Sequence, residues 1–236
     1  MSSKTQSTKV TSDPNLKQRL FGDNDEVAIG TMLTRLKKDN PNHSAVINLL
    51  QKGLSTKTKS WKIIYTDIHS DERIKDKAKD DDAADFDPET NTIYIDKNAN
   101  FKSRDGKADL TILHEIIHAA SYWAVHEDQM LNRKLQDILH NIRFQLHKKY
   151  GKDWKTLQKE NPNKWYGLTD EYELLSEAFS SGEFVRELAY LPSKEKGLKT
   201  AIREFVEWLA SIFKKDLNDT ALNEVLLQLE DIVLNH

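Results

Sequence analysis

The segment TILHEIIHAA at positions 111–120 constrains this chain more than any other part of it. It favours a helix, because apolar residues recur throughout and neither Gly nor Pro occurs between positions 108 and 128. Positions i and i+4 of a helix lie one turn apart on the same face, so His114 and His118 can direct two imidazole nitrogens at one metal ion. Glu115 falls at the edge of that face, where its carboxylate can reach a water molecule beside the ion without being a ligand.

The alternative is an ordinary amphipathic helix whose polar residues point to solvent. Against this alternative, apolar residues surround the two histidines on nearly all sides: Ile112, Leu113, Ile116, Ile117, Ala119 and Ala120. A helix that is apolar nearly all round is usually buried, and buried His and Glu side chains need partners. The segment therefore favours a metal site.

Composition limits the kinds of site and partner that the chain can have. Its 236 residues include no cysteine, so thiolate ligands are excluded and a metal must be held by His and carboxylates. A net charge of −3 gives no basic footprint, and we expect no nucleic-acid partner. No apolar run approaches the roughly 20 residues that span a bilayer, and the N-terminus lacks the apolar core of a signal peptide. We therefore expect a cytoplasmic protein without a membrane partner.

A catalytic zinc site usually has three protein ligands and one open position, so a third ligand must be found. A third histidine six residues after His118 is excluded, because Ala124 stands there. The best source is the helical stretch DEYELLSEAFS at positions 170–180, with Thr169 before it as a candidate cap. Glu173 and Glu177 fall at i and i+4 and share a face, so one can bind the metal while the other orients a ligating imidazole.

Taken together, His114-Glu115-x-x-His118 and Glu173-Leu-Leu-Ser-Glu177 resemble the gluzincin class of zinc metallopeptidases, the thermolysin-like arrangement. In that class a Glu-x-x-Ser-Asp segment supplies the third ligand from its first acidic residue, and the second acidic residue supports a ligand histidine. The resemblance implies Glu173 as the ligand, Glu177 as the supporting residue, and one Zn²⁺ per chain. It covers roughly residues 61–190.

This sequence departs from the gluzincin pattern in two ways. Glu177 stands where that class has Asp, and the interval between His118 and Glu173 is longer than in thermolysin. Glu171 and Glu177 therefore stay open as alternative ligands. The run from Tyr166 to Phe184 is also similar to zincin peptidase domains of phage and mobile-element polyvalent proteins.

The resemblance implies a zinc-dependent metalloendopeptidase that acts on a protein or peptide substrate. Glu115 would be the general base, and Tyr166, Tyr172 and His126 are candidates to stabilise the oxyanion. The alternative from another class is a non-catalytic structural or docking protein that keeps a zincin fold, such as a virion-associated component of a phage particle. A third reading is a helical binding module that holds no metal.

The predicted fold class is α+β and predominantly helical, a zincin-like domain with a small antiparallel sheet beside the motif helix. Four parts are expected along the chain: a disordered tail at 1–14, N-terminal helices at 15–60, the catalytic domain at 61–190, and a C-terminal helical pair at 191–236. That last pair would pack on the domain or provide a docking face for a larger assembly.

Two strands are predicted within the catalytic domain, at Trp61–Thr66 and Asn91–Asp96. The second is expected at the sheet edge, where it would hold a substrate backbone. Between them, residues 67–89 are strongly charged; a solvated loop is favoured over a calcium loop, because the central glycine and closing glutamate are missing. A further helix is expected over residues 128–149.

Overall fold

The structure, a computed structural model, describes residues 15–55, 61–77, 83–99, 108–127, 129–189 and 191. Within these ranges the chain forms one four-stranded sheet and a larger number of helices. The predicted fold class, α+β and predominantly helical, is confirmed. The tail at 1–14 and, apart from Leu191, the C-terminal pair at 191–236 lie outside the described residues.

The N-terminal segment contributes a strand as well as helices. A short π-helix (Lys17–Phe21) is followed by strand β1 (Glu26–Ala28) and by helices α1 (Ile29–Asp39) and α2 (Ser44–Ser55). The prediction of helices alone was wrong at β1, where Val27 pairs with Ile63 of the next strand. Three residues are too few to display the alternation of a strand, and their pairing partner lies far along the chain.

Strands β2 (Lys62–Thr66), β3 (Ala84–Asp87) and β4 (Thr92–Asp96) complete the sheet, in the order β1-β2-β4-β3. Both predicted strands are confirmed, but the prediction of an antiparallel sheet was wrong, because β2 and β4 run parallel. Between β2 and β4 the chain forms β3, which runs antiparallel to β4. The β3–β4 hairpin therefore returns the chain to the direction of β2. Strand β4 therefore lies inside the sheet and not at its edge as predicted; the edge strands of the described sheet are β1 and β3.

Part of the charged segment forms β3, so the prediction of a solvated loop was wrong there. Phe86 faces the core and stacks on Trp61, with ring centroids 5.7 Å apart. Asp87 is buried and accepts hydrogen bonds from Lys77 Nζ at 2.9 Å and Thr90 Oγ1 at 2.8 Å. These pairings compensate the burial of a charge, which the composition of the segment could not reveal. Residues 78–82 lie outside the described part.

The remaining helices carry and support the candidate site. They are α3 (Ala108–Glu127), α4 (Gln129–Tyr150), α5 (Trp154–Glu160), α6 (Pro162–Trp165), α7 (Glu171–Ser180) and α8 (Gly182–Ala189). The helices predicted for the motif and for the stretch after it are confirmed as α3 and α4. Gly151 ends α4 with φ of 67°, a left-handed conformation that favours glycine. Within the described residues, none of the helices has the length and apolar character needed to cross a membrane.

One hydrophobic core joins the N-terminal segment to the motif helix. Leu20, Leu33 and Ile47 are fully buried in the same cluster as Ile112 and Ile116 of α3. The core thus includes residues on both sides of the boundary predicted at residue 60.

A bidentate ion pair fixes the beginning of α3. Arg19 Nη1 lies 2.7 Å from Asp109 Oδ2, and Arg19 Nη2 lies 2.6 Å from Asp109 Oδ1. Asn40 Nδ2 donates to the same carboxylate at 2.8 Å. Asp109 lies in the first turn of α3, where the helix dipole also stabilises a negative charge. The N-terminal segment therefore anchors the end of α3 that precedes His114.

Candidate metal centre

Helix α3 presents His114 and His118 on one face. Their ring centroids are 4.7 Å apart, as expected for positions separated by one helical turn. His114 is 1% exposed and the side chain of His118 is 18% exposed. Polar rings at this depth need partners from neighbouring elements, and α7 provides them.

Helix α7 packs against α3 and begins at a cap beside the site. Asp170 Oδ1 accepts hydrogen bonds from the backbone N–H groups of Tyr172 at 3.0 Å and Glu173 at 2.9 Å. The prediction of Thr169 as the cap was wrong, since its hydroxyl donates to the Tyr166 carbonyl at 2.7 Å. A carboxylate suits this position because it accepts hydrogen bonds from both N–H groups, and because the positive end of the helix dipole stabilises its negative charge. The cap fixes the helical turn that carries Glu173.

One carboxylate oxygen of Glu173 lies beside both histidines. Its Oε2 is 3.1 Å from Nε2 of His114 and 3.1 Å from Nε2 of His118. In a tetrahedral site with bonds of about 2.0–2.1 Å, neighbouring ligand atoms are about 3.3 Å apart. The three ligand atoms lie within 4.8 Å of one another, so this group can hold a metal ion.

Glu177 contacts the other nitrogen of His114. Its Oε1 lies 3.4 Å from Nδ1, and the residue is 2% exposed. With the hydrogen of a neutral ring on Nδ1, this carboxylate faces an N–H group, and Nε2 presents its lone pair towards Glu173. A lone pair that faces a carboxylate oxygen at 3.1 Å is repelled by it unless a cation lies between them. The donor set therefore fits a metal ion, with Glu177 in a position to orient a ligand.

The side chains of the site shift the pKa values of Glu173 and His118. Burial would raise the pKa of Glu173, but the neighbouring His114 and His118 hold that pKa well below its usual range. Burial would lower the pKa of His118, but Glu173, and less strongly Glu115, raise it above its usual value. Glu173 is therefore ionised across the neutral range, which is the state that a metal ligand requires.

Glu171 lies away from the histidines. Its Oε1 accepts a hydrogen bond from Gln136 Nε2 of α4 at 3.2 Å. Two residues along a helix correspond to a rotation of about 200°, so Glu171 and Glu173 cannot both face α3. Of the three glutamates that the sequence offered, Glu173 and Glu177 lie against His114 and Glu171 does not.

Glu115 is half-buried on α3 beside the two histidines. Its negative charge is one of those that raise the pKa of His118, so its carboxylate lies within electrostatic reach of the site. It follows His114 by one residue, which is about 100° around the helix. Glu115 therefore borders the metal-facing side of α3 and does not compete with the two histidines for the same position.

The three candidates for oxyanion stabilisation lie in two different places. The ring of Tyr166 has its centroid 6.3 Å from that of His114, and the residue is 40% exposed. Tyr172 and His126 both stack on Tyr122, with centroids 5.9 and 5.5 Å apart. These two belong to an aromatic group around Tyr122 of α3, whereas Tyr166 stands beside a candidate metal ligand.

Ser180 was not identified from the sequence. Its Oγ lies 3.4 Å from His114 Nδ1, the nitrogen that also faces Glu177. A signal was present, because Ser180 follows Glu173 and Glu177 at i+7 and i+3 on the same stripe of α7. A helical serine is usually satisfied by its own backbone, however, so this spacing alone does not indicate a contact.

Comparisons of the chain with protein-family models, with curated proteins and with solved structures found no match. Within the part of the chain that the structure describes, one group of histidine and acidic side chains has the geometry to hold a metal ion, and it is the group of His114, His118 and Glu173. The functional interpretation therefore depends on this group.

Proposed function

We propose that this protein is a zinc-dependent metalloendopeptidase that hydrolyses peptide bonds in protein or peptide substrates. The observation that carries the proposal is the position of Glu173 Oε2, 3.1 Å from Nε2 of both His114 and His118. A His-Glu-x-x-His helix completed by a glutamate from a second helix is the arrangement of the gluzincin class, which the sequence resembles. Glu115 stands at the position of that motif that carries the base.

Zinc is the metal that this donor set favours. Two imidazole nitrogens and one carboxylate oxygen match the ligands of catalytic zinc sites, which leave a fourth position open. Calcium and magnesium prefer shells made of oxygen, which a pair of histidines does not offer. When bound, zinc would lower the pKa of a water molecule towards about 7 and polarise the scissile carbonyl.

Glu115 would carry the proton transfers. Its carboxylate takes a proton from the attacking water as the new C–O bond forms, and delivers that proton to the amine nitrogen as the C–N bond breaks. Because Glu115 borders the ligand face and is not itself a ligand, its oxygens stay available for this exchange. Tyr166, which stands beside His114, is the proposed hydrogen-bond donor to the developing oxyanion.

Two departures from the gluzincin pattern have a structural explanation. Glu177 has a longer side chain than the Asp of that class, yet its Oε1 lies 3.4 Å from Nδ1 of His114, within reach of the supporting role. The long interval between His118 and Glu173 contains α4, α5 and α6. Helices α3 and α7 nevertheless pack directly on each other, so this insertion does not separate the proposed ligands.

We infer that the substrate backbone lies along β3 and not along β4. Strand β3 packs against α3, and its Phe86 contacts Tyr122 with ring centroids 5.8 Å apart. Strand β3 is an edge strand of the described sheet, which is the position at which an extended peptide adds to a sheet. Strand β4 has neighbours on both sides and cannot bind a peptide in this way.

The test combines metal analysis with a cleavage assay on unfolded casein. The purified protein should contain about one zinc per chain and cleave casein, and Glu173→Ala should lose both. Glu115→Gln should keep the zinc and lose cleavage, because an amide cannot accept the proton. Glu171→Ala is the matched control, since it removes a glutamate from the same helix but from a different face, and it should keep both.

Each other outcome contradicts a defined part of the proposal. Zinc without cleavage would instead support the non-catalytic structural or docking protein, in which the metal holds α3 against α7. No zinc after reconstitution would overturn the metal site itself. Cleavage that persists in Glu115→Gln would overturn the assignment of Glu115 as the base.

A further inference from the structure

Ser180 stands at the end of α7 in direct contact with a proposed metal ligand. Its Oγ lies 3.4 Å from Nδ1 of His114 and 2.6 Å from the backbone carbonyl oxygen of Ser176. Ser180 and His114 are each 1% exposed, so water does not replace these contacts. The hydroxyl is therefore held between a ring nitrogen of α3 and the backbone of its own helix.

The hydrogen of the Ser180 hydroxyl is committed to the carbonyl of Ser176. A hydroxyl has one hydrogen to donate and lone pairs to accept with, and the contact at 2.6 Å takes the hydrogen in preference to the contact at 3.4 Å. Ser180 Oγ consequently presents a lone pair to His114 Nδ1. Since Glu177 Oε1 also lies 3.4 Å from Nδ1, two acceptors face this one nitrogen.

We propose that Ser180 is a positioning residue that, together with Glu177, holds the hydrogen of His114 on Nδ1 and leaves Nε2 free to bind the metal. Both oxygens can accept from an N–H group on Nδ1, whereas the opposite tautomer would place a lone pair of Nδ1 against each of them. This inference rests on the metal-centre part of the proposed function, but it does not depend on peptidase activity.

The Ser180 hydroxyl is a neutral acceptor, so beside Glu177 it can orient the His114 ring without adding a negative charge. Glu173 and Glu115 already act on His118 as negative charges. A serine hydroxyl fixes the plane of the ring without raising the negative charge beside the ion. The contact also ties the C-terminal end of α7 to α3, whereas Glu173 ties its first turn.

The chain supplies a matched control for Ser180 on the same helix. Ser176 is 0% exposed, and its Oγ has no hydrogen-bond partner among the described residues. Ser176→Ala and Ser180→Ala therefore remove the same atom from the same buried helix, but only the second removes a contact with His114.

The experiment measures zinc affinity by competition with a chromogenic chelator, and the His114 tautomer by ¹⁵N NMR of the metal-free protein at mildly alkaline pH. Ser180→Ala should weaken zinc binding about 10-fold and reduce the fraction of His114 that carries its hydrogen on Nδ1. Ser176→Ala should leave both quantities as in the wild type. Ser180→Thr, which keeps the hydroxyl, should restore both.

Equal effects of the two alanine substitutions, or an unchanged tautomer in Ser180→Ala, would overturn the inference. A thermal melt of each variant verifies that the fold is intact. The tautomer is read without metal and without substrate, so a chain that binds zinc but cleaves nothing would contradict the proposed peptidase while leaving this inference standing.

Discussion

Oε2 of Glu173 lies 3.1 Å from Nε2 of His118, although a long stretch of chain separates the two residues. The contact exists because α7 packs on α3, with Asp170 fixing the first turn of α7. A histidine nitrogen and a carboxylate oxygen at this separation can share a hydrogen or a metal ion. Metal analysis of the purified protein distinguishes these two cases.

Loss of Glu177 should weaken the metal site without abolishing it. Glu177→Ala is expected to lower zinc affinity by about 10- to 100-fold, because His114 loses an acceptor for Nδ1 but keeps Nε2 for the metal. Competition with a chelator of known affinity measures the change, and Glu171→Ala should bind as tightly as the wild type. Complete loss of zinc in Glu177→Ala, with zinc retained in Glu173→Ala, would show that Glu177 and not Glu173 is the ligand.

Removal of the metal should lower the thermal stability of the protein. Zinc binds the folded chain, so a free concentration of 100 times the dissociation constant adds about 2.7 kcal/mol to the free energy of unfolding. The unfolding temperature measured with and without a chelator checks this. Glu173→Ala is the control, because a chain that cannot bind zinc should show the same melt in both conditions.

Gly167 should be intolerant of a side chain. A Cβ at this position would lie 2.6 Å from ring atoms of Phe184 and 2.9 Å from Cβ of Glu177. Gly167→Ala is therefore expected to cost about 1–3 kcal/mol of stability and, because Glu177 must move, to weaken zinc binding as well. Denaturant unfolding and zinc titration measure the two effects.

Gly30 in α1 provides the comparison for Gly167. A Cβ there would meet no atom within 4 Å, so Gly30→Ala should change neither zinc affinity nor, beyond a gain of up to about 1 kcal/mol, stability. If the two alanine variants behaved alike, the close approach of Gly167 to Glu177 would have no consequence for the site.

The cap at Asp170 should matter for the site and not only for the helix. Asp170→Ala is expected to destabilise the protein by about 1 kcal/mol and also to weaken zinc binding, because the capped turn carries Glu173. Asp153 caps α5 in the same way, by accepting from Thr156 N–H at 2.9 Å. Asp153→Ala should cost similar stability while leaving zinc affinity unchanged, and an equal loss of affinity in both would refute a specific role for Asp170.

Glu187 should contribute stability that acid removes. Burial would raise its pKa, but hydrogen bonds from Lys164 at 2.7 Å, Lys149 at 2.9 Å and Tyr150 at 2.9 Å lower that pKa from 4.5 to about 2. The pKa in the folded state is thus below that in the unfolded state. The stabilisation is complete above about pH 4.5 and disappears as the pH falls towards about 2.

Glu187→Gln should accordingly lower the free energy of unfolding at neutral pH by about 1 kcal/mol, a value reduced by solvent screening, and the difference from the wild type should vanish in acid. Urea unfolding as a function of pH measures it. Glu183 lies 3.6 Å from Lys164 and its side chain is 53% exposed, so Glu183→Gln should lower the free energy of unfolding at neutral pH by less than Glu187→Gln does.

The period of the α-helix made part of this site predictable. The i, i+4 spacing places His114 with His118, and Glu173 with Glu177, on shared faces wherever the helices lie. The lack of cysteine restricted any metal ligand to histidine and carboxylate. The motif helix, the helix after it and two of the strands followed from the same local patterns, since each is long enough to display its own period.

Only the tertiary structure decided which element each face meets. It brought Glu173 to both histidines and left Glu171 against Gln136, made β2 and β4 parallel, and placed β3 instead of β4 at the sheet edge. Ser180 became a contact of His114 in the same way. A sequence pattern fixes the direction of a side chain within its own element, whereas the partner across a helix–helix or strand–strand contact depends on packing between residues far apart in the chain.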